Sequence, residues 1–496
     1  MRTILFFTIS ILTLLSSCNN PTVIHEKKDI IIIAGKIINF DRNSGKNILT
    51  IYINDNGRAT QLNYPTKVDS LGNFHVKFDR YYPQDVMIAY KTNFRIIVHP
   101  GDSLYVEFNG NTRQRTKIFE TVKYSGDAAE LNSKLAKYLK NYFETRPSSK
   151  IIHEKEKILN AANYIKFQDS IRIAREAFRD DFITSHKPDK ELINWINSDI
   201  QCSYYEKLLD YPDRHKRYNK LSRDWRIEEE YFDFISNIKP LGIEDLIYSD
   251  TRWFINRFLN DYIWEIAWNH ADSISKRNAD SLIFHQIIEL SPNNGLIKQI
   301  TLNEFVNSRL TKYEVALYEK NENLIKTIIT KNFLIEPINN HYYETKKIIE
   351  KPVLASEIEV NGTTDKSAIE IWKNILNDNK DKVIYIDCWA TWCGACISEF
   401  PNSNKMMEEY KDKDVAFVYL CLKSKEKQWK TILADKKLKG KHYFLNDKQS
   451  AYFVKVLKIS GYPTYSIIDR KGQIIRTGSS FRPAHVETEK IINQLL

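Results

Sequence analysis

Beyond its first fifteen residues the chain has no apolar run of the ~20 residues a membrane-crossing helix needs, so no internal span is expected. It also lacks an arginine-rich tract, and its lysines are interspersed with Asp and Glu. A formal charge of +10 over 496 residues is then a solvated basic surface, not a nucleic-acid footprint. Cysteine is scarce: six residues without framework spacing exclude a disulfide-stapled scaffold. There is one Cys-x-x-Cys, at 393–396, and no second; His442 and His485 stand alone. A four-ligand zinc site is therefore not expected. No methionine- or histidine-rich stretch offers copper ligands. Glycine is missing from Gly126 to Gly242, which suits long helices, since each interior glycine costs about 1 kcal/mol.

What is present begins with a targeting segment. Arg2 supplies the positive charge, residues 4–15 the apolar core, and Leu15-Ser16-Ser17-Cys18 small residues before a cysteine. This resembles the lipobox of bacterial lipoproteins. The resemblance implies loss of residues 1–17, lipidation of Cys18 and a mature chain anchored outside the cytoplasm, where disulfides persist. Asn19 after the cysteine favours the outer membrane, facing the periplasm. The alternative is an ordinary signal peptide with an incidental cysteine.

Three regions follow, and a multidomain chain is expected from its length. Residues 28–119 read as an all-β domain. Runs such as Ile48-Leu49-Thr50-Ile51-Tyr52-Ile53 are separated by the turn signals Asn56-Gly57, Leu71-Gly72-Asn73 and Pro100-Gly101-Asp102. Asp69-Ser70-Leu71-Gly72-Asn73-Phe74 resembles the β domain that precedes thioredoxin domains in many bacterial lipoproteins, which implies an accessory role. Residues 127–350 read as a helical domain: Leu131, Leu135, Leu139 and Tyr142 recur at helical spacing, as do Ile227, Tyr231, Phe234 and Ile235. Tyr211-Pro212 and Lys239-Pro240 are expected helix breaks. Residues 352–496 alternate strands (383–389, 415–422, 464–468, 473–477) with helices (394–410, 425–436, 451–457, 484–496), an α/β order.

In that last region Val383-Ile384-Tyr385-Ile386-Asp387-Cys388-Trp389 runs into Ala390-Thr391-Trp392-Cys393-Gly394-Ala395-Cys396. A strand thus delivers two cysteines onto the first turn of a helix, where a thiol's pKa falls and the thiolate can attack a disulfide. A second cysteine one turn later can resolve the mixed disulfide. Asp387 is a carboxylate within an apolar strand, costly unless paired or protonated. It either serves chemistry or is an outward-pointing or hydrogen-bonded structural group. Cys202, Cys388 and Cys421 read as small buried thiols.

The run Trp389-Ala390-x-Trp392-Cys393-Gly394-x-Cys396, with Pro401 beyond it and Gly461-Tyr462-Pro463-Thr464 before a strand, is similar to the thioredoxin active site. Cys396-Ile397-Ser398-Glu399-Phe400-Pro401 fits the periplasmic TlpA-like branch. The resemblance implies a C-terminal thioredoxin fold, with Cys393 as exposed nucleophile, Cys396 as resolving thiol and Asp387 as proton shuttle. It implies a cis Tyr462-Pro463 loop that, with Trp392, shapes a groove for a substrate chain. The TlpA-like branch commonly uses an inserted Glu in place of the buried Asp, so the serving carboxylate stays open.

The expected function is disulfide reduction on protein substrates, fed by an upstream thiol donor, with no cofactor beyond the Cys393/Cys396 couple and no metal. Two alternatives stand beside it. One is a partner-binding lipoprotein whose redox chemistry is incidental, and the other a peroxiredoxin-like peroxidase.

Overall fold

The computed structural model describes residues 28–41, 45, 47–271, 278–291 and 295–496. The leader and Cys18 lie outside them. Among the described residues no helix is long and apolar enough to cross a membrane. They form two compact units. One comprises the residues up to Phe305 together with Asn323–Pro337; the other comprises Val306–Glu322 with Ile338–Leu496.

The first unit opens with seven strands: β1 Asp29–Ile38, β2 Ile48–Asp55, β3 Thr60–Lys67, β4 Asn73–Arg80, β5 Gln84–Tyr90, β6 Thr92–Val98 and β7 Ser103–Asn109. A helix, Arg115–Thr121, and a short strand, β8 Lys123–Gly126, follow. Two four-stranded sheets result, ordered β4-β1-β7-β8 and β3-β2-β5-β6. Alternation along β1 buries Ile31, Ile33 and Ile37. The sheets meet through Phe94 against Phe108 (5.2 Å between ring centroids) and Tyr64 against Phe78 (5.5 Å). The β3–β4 connection turns at Gly72, whose φ of +86° and close approach to the Ile37 carbonyl leave no room for a Cβ.

The middle of the chain is helical. Ala129–Thr145 buries Leu131, Leu135 and Leu139, as its spacing predicts. Two details differ from the sequence reading. Helix Lys190–Tyr218 runs straight through Pro212. Tyr211, immediately before it, is buried, stacks on Tyr164 at 4.3 Å and donates to the Leu159 carbonyl at 2.7 Å. That packing outweighs the backbone bond a proline forgoes. The stretch holding Tyr231, Phe234 and Ile235 is a 3₁₀ helix, Glu229–Asn237, and not an α-helix.

The second unit carries a six-stranded sheet of β9 Ile358–Asn361, β10 Val383–Trp389, β11 Val415–Cys421, β12 Gly440–Phe444, β13 Thr464–Ile468 and β14 Ile474–Gly478. Its order is β14-β13-β10-β11-β12-β9. The β9, β12, β11 and β10 pairings are parallel, while β13 and β14 are antiparallel. Ile384, Ile386 and Cys388 face a core built with helices Ala368–Asn377 and Asp447–Val456. Val383, Tyr385 and Trp389 face the other, built with helices Phe400–Glu409, Glu426–Lys436 and Val486–Leu495. The sequence reading had placed neither β9, β12 nor helix Ala368–Asn377. The helix expected over 394–410 is two helices, Gly394–Ile397 and Phe400–Glu409, with Pro401 in the first turn of the second, where its missing N–H costs nothing.

Candidate active site

Strand β10 is buried along its whole length, so each side chain must face one of the two cores. The alternation that sends Tyr385 and Trp389 to one side sends Asp387 there too. Cys393 and Cys396 belong to that same core. The outward-pointing reading of Asp387 is thereby excluded. Its side chain is fully buried, and neither carboxyl oxygen has a hydrogen-bond partner among the described residues. Burial pushes the carboxyl well above the usual carboxylate range, and the charge of Glu399 adds to the rise. Asp387 is in register with Tyr419 on β11 and Tyr465 on β13. The Tyr465 hydroxyl is likewise without a partner among the described residues.

Beyond β10 the chain turns at Ala390, whose carbonyl accepts the Cys393 N–H at 2.9 Å. Cys393 caps the helix Gly394–Ile397, its sulfur accepting the Cys396 N–H at 3.2 Å. The two cysteines are disulfide-bonded, with Cα atoms 5.3 Å apart. Cys393 keeps 6% of its surface open and Cys396 none. The expected exposed nucleophile is thus a narrow window, but the asymmetry has the expected sense. Cys202, Cys388 and Cys421 are buried and unbridged. Burial lifts all three thiols, Cys202 and Cys421 to about 12, so they stay protonated and inert at neutral pH.

Trp392 is 64% exposed, a large apolar side chain held outward beside the sulfur pair. Its indole N–H donates to the Lys423 carbonyl at 3.0 Å, and its ring meets Tyr462 edge-on at 5.5 Å. The Tyr462–Pro463 bond is cis. A shallow cleft of about 720 Å³ opens beside Trp392, bordered by Thr391, Lys423, Ser424, Lys425 and Gln428.

Two sets of residues escaped the sequence reading. Glu399 entered it only as part of a motif, although its place three residues after Cys396 was a usable signal. Its carboxylate accepts from Arg482 at 3.0 Å and from Asn402 at 2.9 Å. Thr391, Ser424 and Gln428 brace the loop before Cys393. Ser424 Oγ accepts the Thr391 N–H at 2.9 Å, and Gln428 Oε1 accepts the Thr391 hydroxyl at 3.0 Å. No local pattern pairs residues that far apart. Among the described residues no group of three His, Cys, Asp or Glu is placed to hold a metal. His442 is buried, its Nε2 donates to the Leu438 carbonyl at 2.8 Å, and burial depresses the imidazole to about 4.

A family model for Redoxin matches residues 374–496. The C-terminal domain is a thioredoxin-like Redoxin domain. Thioredoxin-like protein YneN of Bacillus subtilis (strain 168) is 35% identical to the chain over 103 residues, 21% of this chain and 59% of that protein. Thiol-disulfide oxidoreductase ResA of Bacillus thuringiensis subsp. konkukian is 27% identical over 101 residues, 20% of this chain and 57% of that protein. Among solved structures, the thioredoxin domain of a thiol-disulfide oxidoreductase from Bacteroides vulgatus is 25% identical. It covers 24% of this chain and 84% of that one, with a TM-score of 0.22. The chain spans less than two thirds of the length of these curated relatives. The Redoxin domain is joined here to a β-rich N-terminal region and a helical middle.

Proposed function

We propose that the protein is a thiol–disulfide oxidoreductase, anchored through a lipid on Cys18 and working outside the cytoplasm, on the periplasmic side of the outer membrane. One observation supports the chemistry most. A Cys-x-x-Cys pair of unequal exposure shares a core with a buried carboxyl that has no partner among the described residues.

The direction proposed is reduction of protein disulfides. In the dithiol form the Cys393 thiolate attacks one sulfur of the substrate disulfide. An S–S bond forms between Cys393 and the substrate, and the other substrate sulfur leaves as a thiolate. Asp387, ionised, takes the proton from the Cys396 thiol. The Cys396 thiolate then attacks the Cys393 sulfur, restoring the intramolecular disulfide and releasing the second substrate thiolate. Two electrons pass to the substrate, and an upstream thiol donor must return them. No further cofactor is needed. Trp392 and the Tyr462-Pro463 loop flank the groove for the substrate's cysteine segment.

Cys393→Ser should abolish insulin-disulfide reduction. Cys396→Ala should accumulate a mixed disulfide that thiol reductant releases. Undiminished reduction by Cys393→Ser would overturn the proposal, and would favour a partner-binding role.

A further inference from the structure

The first unit contains a cavity that the redox chemistry does not use. It measures about 220 Å³ and is bordered by Arg115, Arg146 and Phe143 and by the apolar side chains of Phe119, Leu139 and Trp195. Its cations are unequally neutralised. Arg95 is held by Asp85 at 2.7 Å and by Asp250, so its charge is already answered. Asp199, also on the wall, is taken up by Arg175 at 2.5 Å.

Arg115 and Arg146 have no such answer. Both guanidiniums lie over the ring of Phe143, 5.1 and 4.5 Å from its centroid. Arg115 otherwise donates to the amide oxygen of Asn93, a neutral group. Neither arginine has a carboxylate partner among the described residues. Arg115 and Arg146 are both solvent-exposed, and partial burial of the Arg115 guanidinium, with the charges of Arg146 and Arg95, holds its pKa down. Like charges held together beside a concave, partly apolar surface are stabilised by an anion between them.

The far wall is formed by buried side chains. Trp195 is 1% exposed and borders the cavity, and its indole N–H has no acceptor among the described residues. Phe119 and Leu139, both buried, complete an apolar wall.

We propose that this cavity binds a small organic oxyanion, a carboxylate or a phosphate monoester, with its charged group forked between Arg115 and Arg146 and its apolar body against Phe119, Leu139 and Trp195. Paired guanidiniums match the two-oxygen geometry that both anions present.

Calorimetric titration of the full chain with benzoate, phenyl phosphate and inorganic phosphate tests this. Benzoate or phenyl phosphate should give saturable heat, with inorganic phosphate weaker because it has no apolar body. The one that binds more tightly identifies the charged group. Arg115→Gln and Arg146→Gln should each weaken binding about tenfold or more, the loss of a charge-assisted hydrogen bond. Cys393→Ser should leave it unchanged. Without added anion, Arg146→Gln should melt no lower than the parent chain, since it relieves repulsion. No saturable heat with either organic anion, equal affinity in Arg146→Gln, or a lowered melting point in that variant without anion would each overturn the proposal.

Discussion

The carboxyl of Asp387 lies within the electrostatic reach of Glu399, which raises its pKa, while Glu399 itself is engaged by Arg482 at 3.0 Å. Two carboxyl groups therefore lie near one sulfur pair, one buried without partners among the described residues and one largely buried but held by an arginine. Burial is the larger cause of the rise at Asp387, with the charge of Glu399 second. On the proposed mechanism, proton exchange belongs to Asp387, and Glu399 acts on it through its charge.

Asp387→Asn should slow the resolving step and reduce insulin turnover by about 10²-fold, the lower range for loss of a positioned acid–base group. The same variant should be more stable at neutral pH. The native-state pKa is raised, so the carboxyl stays protonated in the folded chain at pH values where the unfolded chain ionises it. Stability is therefore full below the unfolded value near ~4 and falls as pH rises toward the native one. Melting curves of parent and variant should nearly coincide at acid pH and diverge at neutral pH, with the variant higher. Parallel curves at both pH values would contradict an unpaired buried carboxyl.

Glu399→Gln removes the second cause of the shift and leaves the first. The Asp387 pKa should move down while staying above the usual carboxylate range. In the pH profile of single-turnover disulfide reduction, the limb set by Asp387 should shift toward acid. A profile unchanged from the parent's would show that Glu399 does not act on Asp387.

Tyr313, far from the Redoxin domain in sequence, packs against its core and donates to Asp435 at 2.7 Å. Its neighbour Lys312 offers a carbonyl to Gln428 at 3.3 Å, the same side chain that braces Thr391. A fragment beginning at Pro352 lacks both contacts. It should unfold at lower urea than a fragment beginning at Val306. Tyr313→Phe in the full chain should cost about 1 kcal/mol, the net worth of one partly exposed hydrogen bond.

His99 is gripped by two carboxylates, Asp102 at 2.9 Å through Nδ1 and Glu191 at 2.8 Å through Nε2. Burial acts to depress its pKa, but these two partners overcome it and lift the imidazole to about 10. The clamp contributes stability that is whole below the ordinary histidine pKa near ~6.5 and is lost as pH rises toward about 10. Urea midpoints of the first unit should fall across that interval in the parent chain. In His99→Gln the fall should be smaller, and an identical slope would contradict the clamp.

Much of the site was legible because its chemistry is local. A strand, a tight turn, two cysteines three residues apart and a proline in the next helix all lie within twenty residues of each other. The thioredoxin order of strands and helices could be read from apolar runs, since parallel central strands are buried on both faces. The short strands β9 and β12 could not. Four or five residues of mixed polarity become strands only when a neighbouring edge supplies hydrogen-bond partners, β11 for β12 and β12 in turn for β9. Pro212 misled for the same reason in reverse. Its local preference is to break a helix, and the stacking of Tyr211 on Tyr164 decides otherwise.

By itself, then, the sequence determined which two cysteines pair and that a buried strand delivers them to the start of a helix, and it left open which carboxylate serves them. Only the tertiary structure decided that Asp387 faces the pair from within the core, because alternation along a strand orders side chains but does not say which face a pair of thiols will cover. It alone placed Gln428 against the loop before Cys393 and Tyr313 against the domain core, and gathered Arg115 and Arg146 around one ring. Contacts between residues tens or hundreds of positions apart form when packing brings their elements together, and no local pattern encodes them.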